Sequence, residues 1–516
     1  MNVASRLQAL AEPDTICISQ KVYEEVEKRL SLGTVVSLGR PWLKNIAQRQ
    51  LVYLLLPEQP KGLRQTLQVQ RLKLSRWVGT VHLARAALVV VGLLIGGGIV
   101  TLLYSSIIRN PQSTIRNQEA LPLPDKPSIV ILPFVNMSND PEQEYFSDGI
   151  TEDITADLSR ISSLFVIARN SAFTYKGKAV KVQEVSRELG VRYVLEGSVR
   201  KADTQVRITT QLVDATTGGH LWSERYDRPL KDVFALQDEI VQKIVTTLKL
   251  QLSLWEQGSL VRKTTDNLEA YDYYLRGLEY SFRFTKEAST QAKQMYEKAI
   301  ELDPRYAQAY ASLSMSYFMD WNLQWNQTPQ TFARATELAQ QSITLDDSLP
   351  SSHWVLGWLY LWKKQHDRAI AEAERAIVLD PNFANGYIQL GDIWNFAGQP
   401  EKAIELIEKA MRLNPHSPGV YFNNLGAAYL MARRYDEAID ALKKCLAHAP
   451  NYLYAHMNLA TAYSELGREE EARSEAAEVL RINPQFSLEA LRQTAPVKDP
   501  AVLERVFTAL RKAGLK

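Results

Sequence analysis

From Ala86 to Ile108 the chain reads AALVVVGLLIGGGIVTLLYSSII, without a charged residue. A helix of about 20 apolar residues covers the roughly 30 Å of a bilayer core, so the pattern predicts a transmembrane helix over 86–108. A core helix of a soluble domain seldom runs so long without a polar face. Lys61, Arg64, Arg71, Lys73, Arg76 and Arg85 precede the run, while Arg109 and Arg116 follow it. The heavier basic flank stays in the cytoplasm. The expectation is a single-pass protein of a bacterial inner membrane, amino terminus cytoplasmic and residues 109–516 periplasmic. Gly92 and Gly96 form G-x-x-x-G, a spacing that lets two membrane helices approach closely. A homodimer through that face is the matching expectation.

Elsewhere the periodicity changes from segment to segment. Residues 1–57 predict a helix through Leu10, a turn at Glu12-Pro13, a strand Thr15–Ser19, a helix Gln20–Arg29 and a strand Gln50–Leu56. Residues 58–85 read as a basic juxtamembrane linker, and 109–125 as a polar, proline-containing linker. Residues 126–256 predict an α/β domain. Its strands are Ser128–Val135, Leu164–Ala168, Tyr193–Arg200 and Val206–Asp214; its helices are Glu144–Ile161, Val182–Leu189 and Phe234–Leu254.

Residues 268–486 repeat. Pro381, Pro415, Pro450 and Pro484 stand 34, 35 and 34 residues apart. Twenty-five residues before each lie Leu356, Leu390, Leu425 and Leu459, followed by Gly357, Gly391, Gly426 and Ala460. Tyr360, Trp394, Tyr429 and Tyr463 come next, then Ala369, Ala403, Ala438 and Ala472. A fixed period of this length predicts stacked helix pairs, the small residues letting helices meet and the large ones filling gaps. Two earlier pairs end at Pro304 and Asp347, giving about six in all, with capping helices over 487–516. The fold class is thus multi-domain: a small α+β piece, a single transmembrane helix, an α/β domain and an all-α superhelix.

Charge and cysteine narrow the function. A net charge of +2 over 516 residues is too balanced to argue for nucleic acid. Cys17 and Cys445 fall on opposite sides in this topology, which excludes a disulfide scaffold and a cysteine zinc site. Asp148, Glu152 and Asp153 cluster near a helix start and read as acids complementing the helix dipole rather than as metal ligands. His220 beside Trp222 reads as structural.

Three resemblances follow from motifs. N-x-x-x-R at Asn2 and Arg6, the A-E-P-x-x-I-x-I-S run, the L-K-x-I segment at Lys44 and the closing V-Y strand resemble the carboxy-terminal end of a class III nucleotide cyclase domain. The resemblance implies that Asn2 and Arg6 would stabilise a phosphoryl transition state and Lys44 would hold the triphosphate, as donors and positive charge should. That family's metal-binding aspartates lie upstream of N-x-x-x-R. No counterpart precedes Asn2 here, so the three residues read as vestigial, with no cofactor in this chain and Mg²⁺ or Mn²⁺ only in a complete cyclase domain. A start placed too late, at an internal valine codon, would account for this. I-x-x-L-P-F, Y-F-S-D-G-I-T-E-D, Y-V-L-E-G-S-V-R and G-G-H-L-W-S-E-R-Y-D resemble the TolB amino-terminal-like, or FlgO-like, domain over 126–256. The 34-residue pattern resembles tetratricopeptide repeats.

In such an array the concave face carries the recognition. Met315, Phe318, Trp354, Trp358, Leu361, Ile388, Asn395 and Tyr454 occupy positions that face it. Nearly uncharged and aromatic, this groove should take an apolar or aromatic segment of a protein partner. The expectation is therefore partner binding by the α/β and repeat domains, attached to a truncated cyclase end. The alternative is a membrane adenylate or guanylate cyclase whose outer domains act as sensor.

Overall fold

The computed structural model describes residues 16–19, 22–23, 34–37, 52–56, 120–138, 140–259 and 265–516. The chain divides into two compact units, Met1–Arg116 and Asn117–Lys516.

In the first unit, β1 (Ile16–Ser19), β2 (Thr34–Ser37) and β3 (Val52–Leu56) form an antiparallel sheet in the order β1-β3-β2. Ile16 pairs with Leu55 and Thr34 with Leu56. The VYLLL run takes the central place, as a continuous apolar stretch does. Strand β2 had no counterpart among the predicted elements. Asn2, Arg6, Lys44, Gly92, Gly96 and the expected span at 86–108 lie outside the described residues.

The structure differs from the expected fold class and localisation. Among the described residues no helix is long and apolar enough to cross a membrane. The most apolar helix, Pro350–Trp362, has 13 residues. At 1.5 Å per residue it reaches about 20 Å, short of the roughly 30 Å of hydrocarbon. The structure is mainly a helical array joined to a mixed sheet, and a single-pass inner-membrane placement has no described helix to rest on.

The second unit opens with a sheet in the order β6-β4-β7-β8-β9, made by β4 (Ser128–Ile131), β6 (Phe165–Val166), β7 (Tyr193–Ala202), β8 (Gln205–Asp214) and β9 (Gly219–Pro229). A short β5 (Val135–Asn136) also pairs with β7. β4 runs parallel to β6 and β7, and β7-β8-β9 form an antiparallel meander. All four residues of β4 are buried, because helices cover both its faces. Ile129 and Ile131 pack on α1 (Glu144–Ser159) and α4 (Val233–Thr247). Val130 and Leu132 pack on α2 (Arg169–Phe173) and α3 (Val182–Leu189). Strand β9 escaped prediction because an edge strand carrying Glu224, Arg225, Asp227 and Arg228 has no apolar alternation. The helix expected to reach Leu254 stops at Thr247, and Lys249 then takes φ 52°. A short helix, α5 (Leu254–Ser259), ends this part.

Six helix pairs follow: α6 (Leu268–Ser281) with α7 (Lys286–Leu302), α8 (Ala307–Asn322) with α9 (Pro329–Leu345), and α10 (Pro350–Trp362) with α11 (His366–Leu379). Next come α12 (Ala384–Phe396) with α13 (Pro400–Leu413), α14 (Gly419–Met431) with α15 (Tyr435–His448), and α16 (Leu453–Glu465) with α17 (Glu469–Ile482). Helices α18 (Leu488–Thr494) and α19 (Pro500–Lys512) close the chain.

Every pair turns through one left-handed residue: Phe284, Gln324, Lys364, Gly398, Arg433 and Gly467. Between pairs, Asp303, Asp346, Asp380 and Asn483 each accept the N–H of the residue two further on at 3.0 Å, so the side chain shapes the turn. Gly426 is needed where the paired helices touch, since a Cβ there would lie 2.6 Å from Leu442 Cγ. Cys445 is fully buried, and burial pushes its thiol up to about 11.

The sheet and the first helix pairs share one hydrophobic core. It runs from Ile129 and Leu195 through Ile150 and Ile240 to Tyr271, Leu275, Tyr296 and Leu313. At the joint Gly149 lets α1 meet α6; a Cβ would fall 2.5 Å from the Leu275 methyls. Two later turns also dock on the sheet part. Asn382 donates to the Ser159 and Leu164 carbonyls at 2.8 and 3.1 Å and accepts from Val166 N–H at 3.2 Å. Asp380 accepts from Ser159 Oγ at 2.7 Å. Ser171 Oγ donates to Asn414 Oδ1 at 2.6 Å, and Arg412 donates to the Leu189, Gly190 and Pro122 carbonyls.

Candidate partner-binding groove

The first helices of neighbouring pairs touch along the array, whereas the second helices barely meet. The array therefore curves toward α6, α8, α10, α12, α14 and α16, whose outward positions line its inner face. There Met315, Trp354, Trp358 and Tyr454 are half-buried, while Phe318, Leu361, Ile388 and Asn395 are buried.

The aromatic half of this face is partly consumed by packing. Phe318 stacks between Trp321 and Trp358, with ring centroids 6.4 and 6.3 Å away. Trp321 also meets Phe332 and Trp362 edge-on, at 4.8 and 5.3 Å. The last turn of α8 carries Trp321 into this cluster, so Trp358 is as much a packing residue as a groove residue. Trp354 stands edge-on to Phe383 at 5.7 Å, and its buried Nε1 has no hydrogen-bond partner.

The other half is polar. Asn458 Nδ2 donates to Asn423 Oδ1 at 3.1 Å, Asn423 Nδ2 to Asn424 Oδ1 at 3.3 Å, and Asn424 Nδ2 to Asp392 Oδ2 at 2.9 Å. One end of the face carries the chain's own terminus: α19 packs on α16, Arg505 reaches Tyr435 Oη, and Lys498 N–H donates to the Phe396 carbonyl at 2.9 Å. Asp392 stands four and three residues away from the inward positions Ile388 and Asn395 on one helix, and Asn423 is the counterpart of Ile388 on the next. The repeat spacing gives no signal for Asn424 and Asn458, which directly precede the signature leucines and whose amides reach sideways between helices.

A second polar site sits at the joint. Asp153 on α1 accepts from Gln237 Nε2 at 2.9 Å and from Tyr271 Oη. Burial is the main cause pushing its carboxyl up to about 7, against the lowering effect of the Tyr271 hydroxyl. Its two sequence neighbours part company. Asp148 meets Lys176 at 2.6 Å, and Glu152 meets Arg169 at 2.6 Å. Among the described residues no group of three or more His, Cys, Asp or Glu side chains is placed to hold a metal ion. His220 is exposed on β9, and Trp222 Nε1 donates to Glu224.

Family models described as tetratricopeptide repeat match residues 273–306, 350–383, 382–451 and 429–493. The helix pairs are tetratricopeptide repeats. Repeats of this family bind protein partners. Among solved structures, that titled as the functional characterisation of Pseudomonas aeruginosa pilF is 22% identical, covering 44% of this chain and 97% of that one with a TM-score of 0.33. YrrB, titled as a tetratricopeptide protein with an unusual peptide-binding site, is 21% identical, covering 38% of this chain and 96% of that one, TM-score 0.27. A curated relative from Rhizobium meliloti (strain 1021), named "Putative adenylate cyclase 3", is 41% identical over 370 residues, 72% of this chain. The chain spans 55% of that relative's length. The first unit holds 116 residues, so at least 254 of the 370 matched residues fall in the sheet-and-repeat unit.

Proposed function

We propose that the sheet-and-repeat unit is a partner-binding module, and that the inner face of the repeats receives a segment of another protein. The observation that carries this is the inner face itself. Its aromatic part keeps Trp354 and Trp358 half exposed, and its polar part presents an amide ladder ending in a carboxylate. Half-exposed tryptophans supply large contact area at low entropic cost. Amides on the same face match the N–H and C=O groups of an extended segment. A photo-crosslinking amino acid at Ala427 or Tyr454 tests it, with Glu405 and Lys443, exposed on second helices, as controls. Adducts to a discrete protein from the inner positions alone are expected. Equal labelling from both sets, or none, would refute the groove.

A second reading is favoured by the name of the relative: the module serves a nucleotide cyclase. The cyclase-end resemblance of residues 1–57 and a relative sharing at least 254 residues of the module support it. Asn2, Arg6 and Lys44 would then belong to the cyclase part. Incubating the chain with ATP or GTP and Mg²⁺ or Mn²⁺ tests their activity here. No cyclic nucleotide above background is expected, whereas turnover lost in Arg6→Ala would make these residues functional.

A further inference from the structure

Asp392 stands on the inner face of α12 with one hydrogen bond, from Asn424, and no ion-pair partner among the described residues. Other acids sunk into this unit are differently served: Asp153 and Asp380, also without an ion pair, each accept two hydrogen bonds. Asp320 has Lys293, and Asp214 has Arg192 at 2.9 Å. Burial alone pushes the Asp392 carboxyl up to about 8, because no cation opposes it. Yet the surroundings are arranged for a negative charge. The three amide donors of Asn458, Asn423 and Asn424 run head to tail toward Asp392, and aligned dipoles of this kind strengthen one another. Three residues along the same helix face, Asn395 is 9% exposed and its Oδ1 is buried without a partner. An unmade hydrogen bond at a buried acceptor is costly, and here it lies beside a carboxylate lacking its counter-charge.

We infer that the inner face around half-buried Asp392, beside the stretch that α19 covers, takes a basic segment of a partner protein, a lysine or arginine cation seating against Asp392. The inference rests on the groove reading above and adds the chemistry of the occupant. The cation would supply the missing charge, and its remaining N–H groups the donor that Asn395 Oδ1 lacks. The aromatic cluster at Trp354 and Trp358 would hold an apolar neighbour on the same segment. An acidic segment is disfavoured by the same geometry, since two carboxylates would face each other in a partly desolvated site.

The test uses the full chain and four degenerate nonapeptide pools that differ only at the central position: lysine, arginine, norleucine or glutamate. Binding is read by fluorescence anisotropy for the natural chain and for Asp392→Asn. The asparagine keeps the Oδ acceptor for Asn424 and removes the charge. The natural chain should bind the lysine and arginine pools at least tenfold more tightly than the norleucine pool. Asp392→Asn should lose that preference while melting no lower than the natural chain. A preference that survives Asp392→Asn overturns the role of Asp392. Equal or tighter binding of the norleucine or glutamate pool overturns the basic segment and leaves the groove standing. No binding of any pool removes both readings.

Discussion

Replacing Asp153 by asparagine should stabilise the protein at neutral pH and leave it unchanged in acid. Asp153 Oδ2 accepts from both Gln237 Nε2 and Tyr271 Oη, and an asparagine Oδ1 can accept both. The substitution therefore removes a charge and keeps the geometry. The carboxyl moves from an ordinary 3.8 up to about 7 in the folded chain, chiefly through burial. Its folded value lies above its unfolded value, so between those limits the native state holds the proton that the unfolded chain has lost. Stability then falls as pH rises from about 4 to about 7 and stays low above. Three units at about 1.4 kcal/mol each put the penalty on the order of 4 kcal/mol. Sheet and repeats share a core in a unit of 400 residues, 117–516. At about 2 cal/mol/K per residue, 4 kcal/mol shifts the melting temperature of such a unit by about 5 °C. Calorimetry of the natural chain and Asp153→Asn at pH 4 and pH 8 reads this directly. A gain of about 5 °C at pH 8 and none at pH 4 is expected. Equal melting at both pH values, or a loss at pH 8, would mean that the charge is already compensated and would refute the argument.

Other outcomes follow from the same geometry. Lys364→Gly and Arg433→Gly, at left-handed turn positions with φ 59° and 60°, should each stabilise the array by about 1 kcal/mol, read by denaturant melts. Arg412→Ala strands the carbonyls of Leu189, Gly190 and Pro122. It should cost about 2–3 kcal/mol and raise hydrogen exchange around residues 187–191, and lysine should not restore the three-carbonyl fork. Trp354→Ala with Trp358→Ala removes an edge contact to Phe383 and a stack on Phe318. The pair should lower stability by about 2–4 kcal/mol; an unmoved melt would mean that both rings are spare for a partner.

Much of the repeat array is legible along the chain because its packing is local and periodic. Each leucine, small residue and aromatic meets its partner helix within about 34 residues, so the spacing of Pro381, Pro415, Pro450 and Pro484 carries the register. The apolar strand β4 and the alternating strand β8 were likewise readable, since burial on two faces or on one leaves its own pattern. What escaped lacks such a pattern: β2 is four residues long, and β9 is a polar edge.

The groove divides along the same line. Periodicity selects which positions face inward, but how much of each side chain stays open depends on neighbours that periodicity does not name. The last turn of α8 sets Trp321 against Phe332 and Trp362, completing a cluster over Phe318. The curvature that brings first helices together closes Leu361 and Ile388. The joint is more remote still. Ser159 meets Asp380 across 221 residues and Ser171 meets Asn414 across 243. An Asp or Asn beside the proline of a repeat looks in sequence like turn chemistry, and at Asn483 it is only that. Sequence alone thus determined the helix pairs and their register, because those obey short-range packing rules. Tertiary structure alone decided that sheet and repeats share a core, that burial raises the Asp153 carboxyl and that Asp392 lacks a cation, because burial and charge depend on everything the fold brings near.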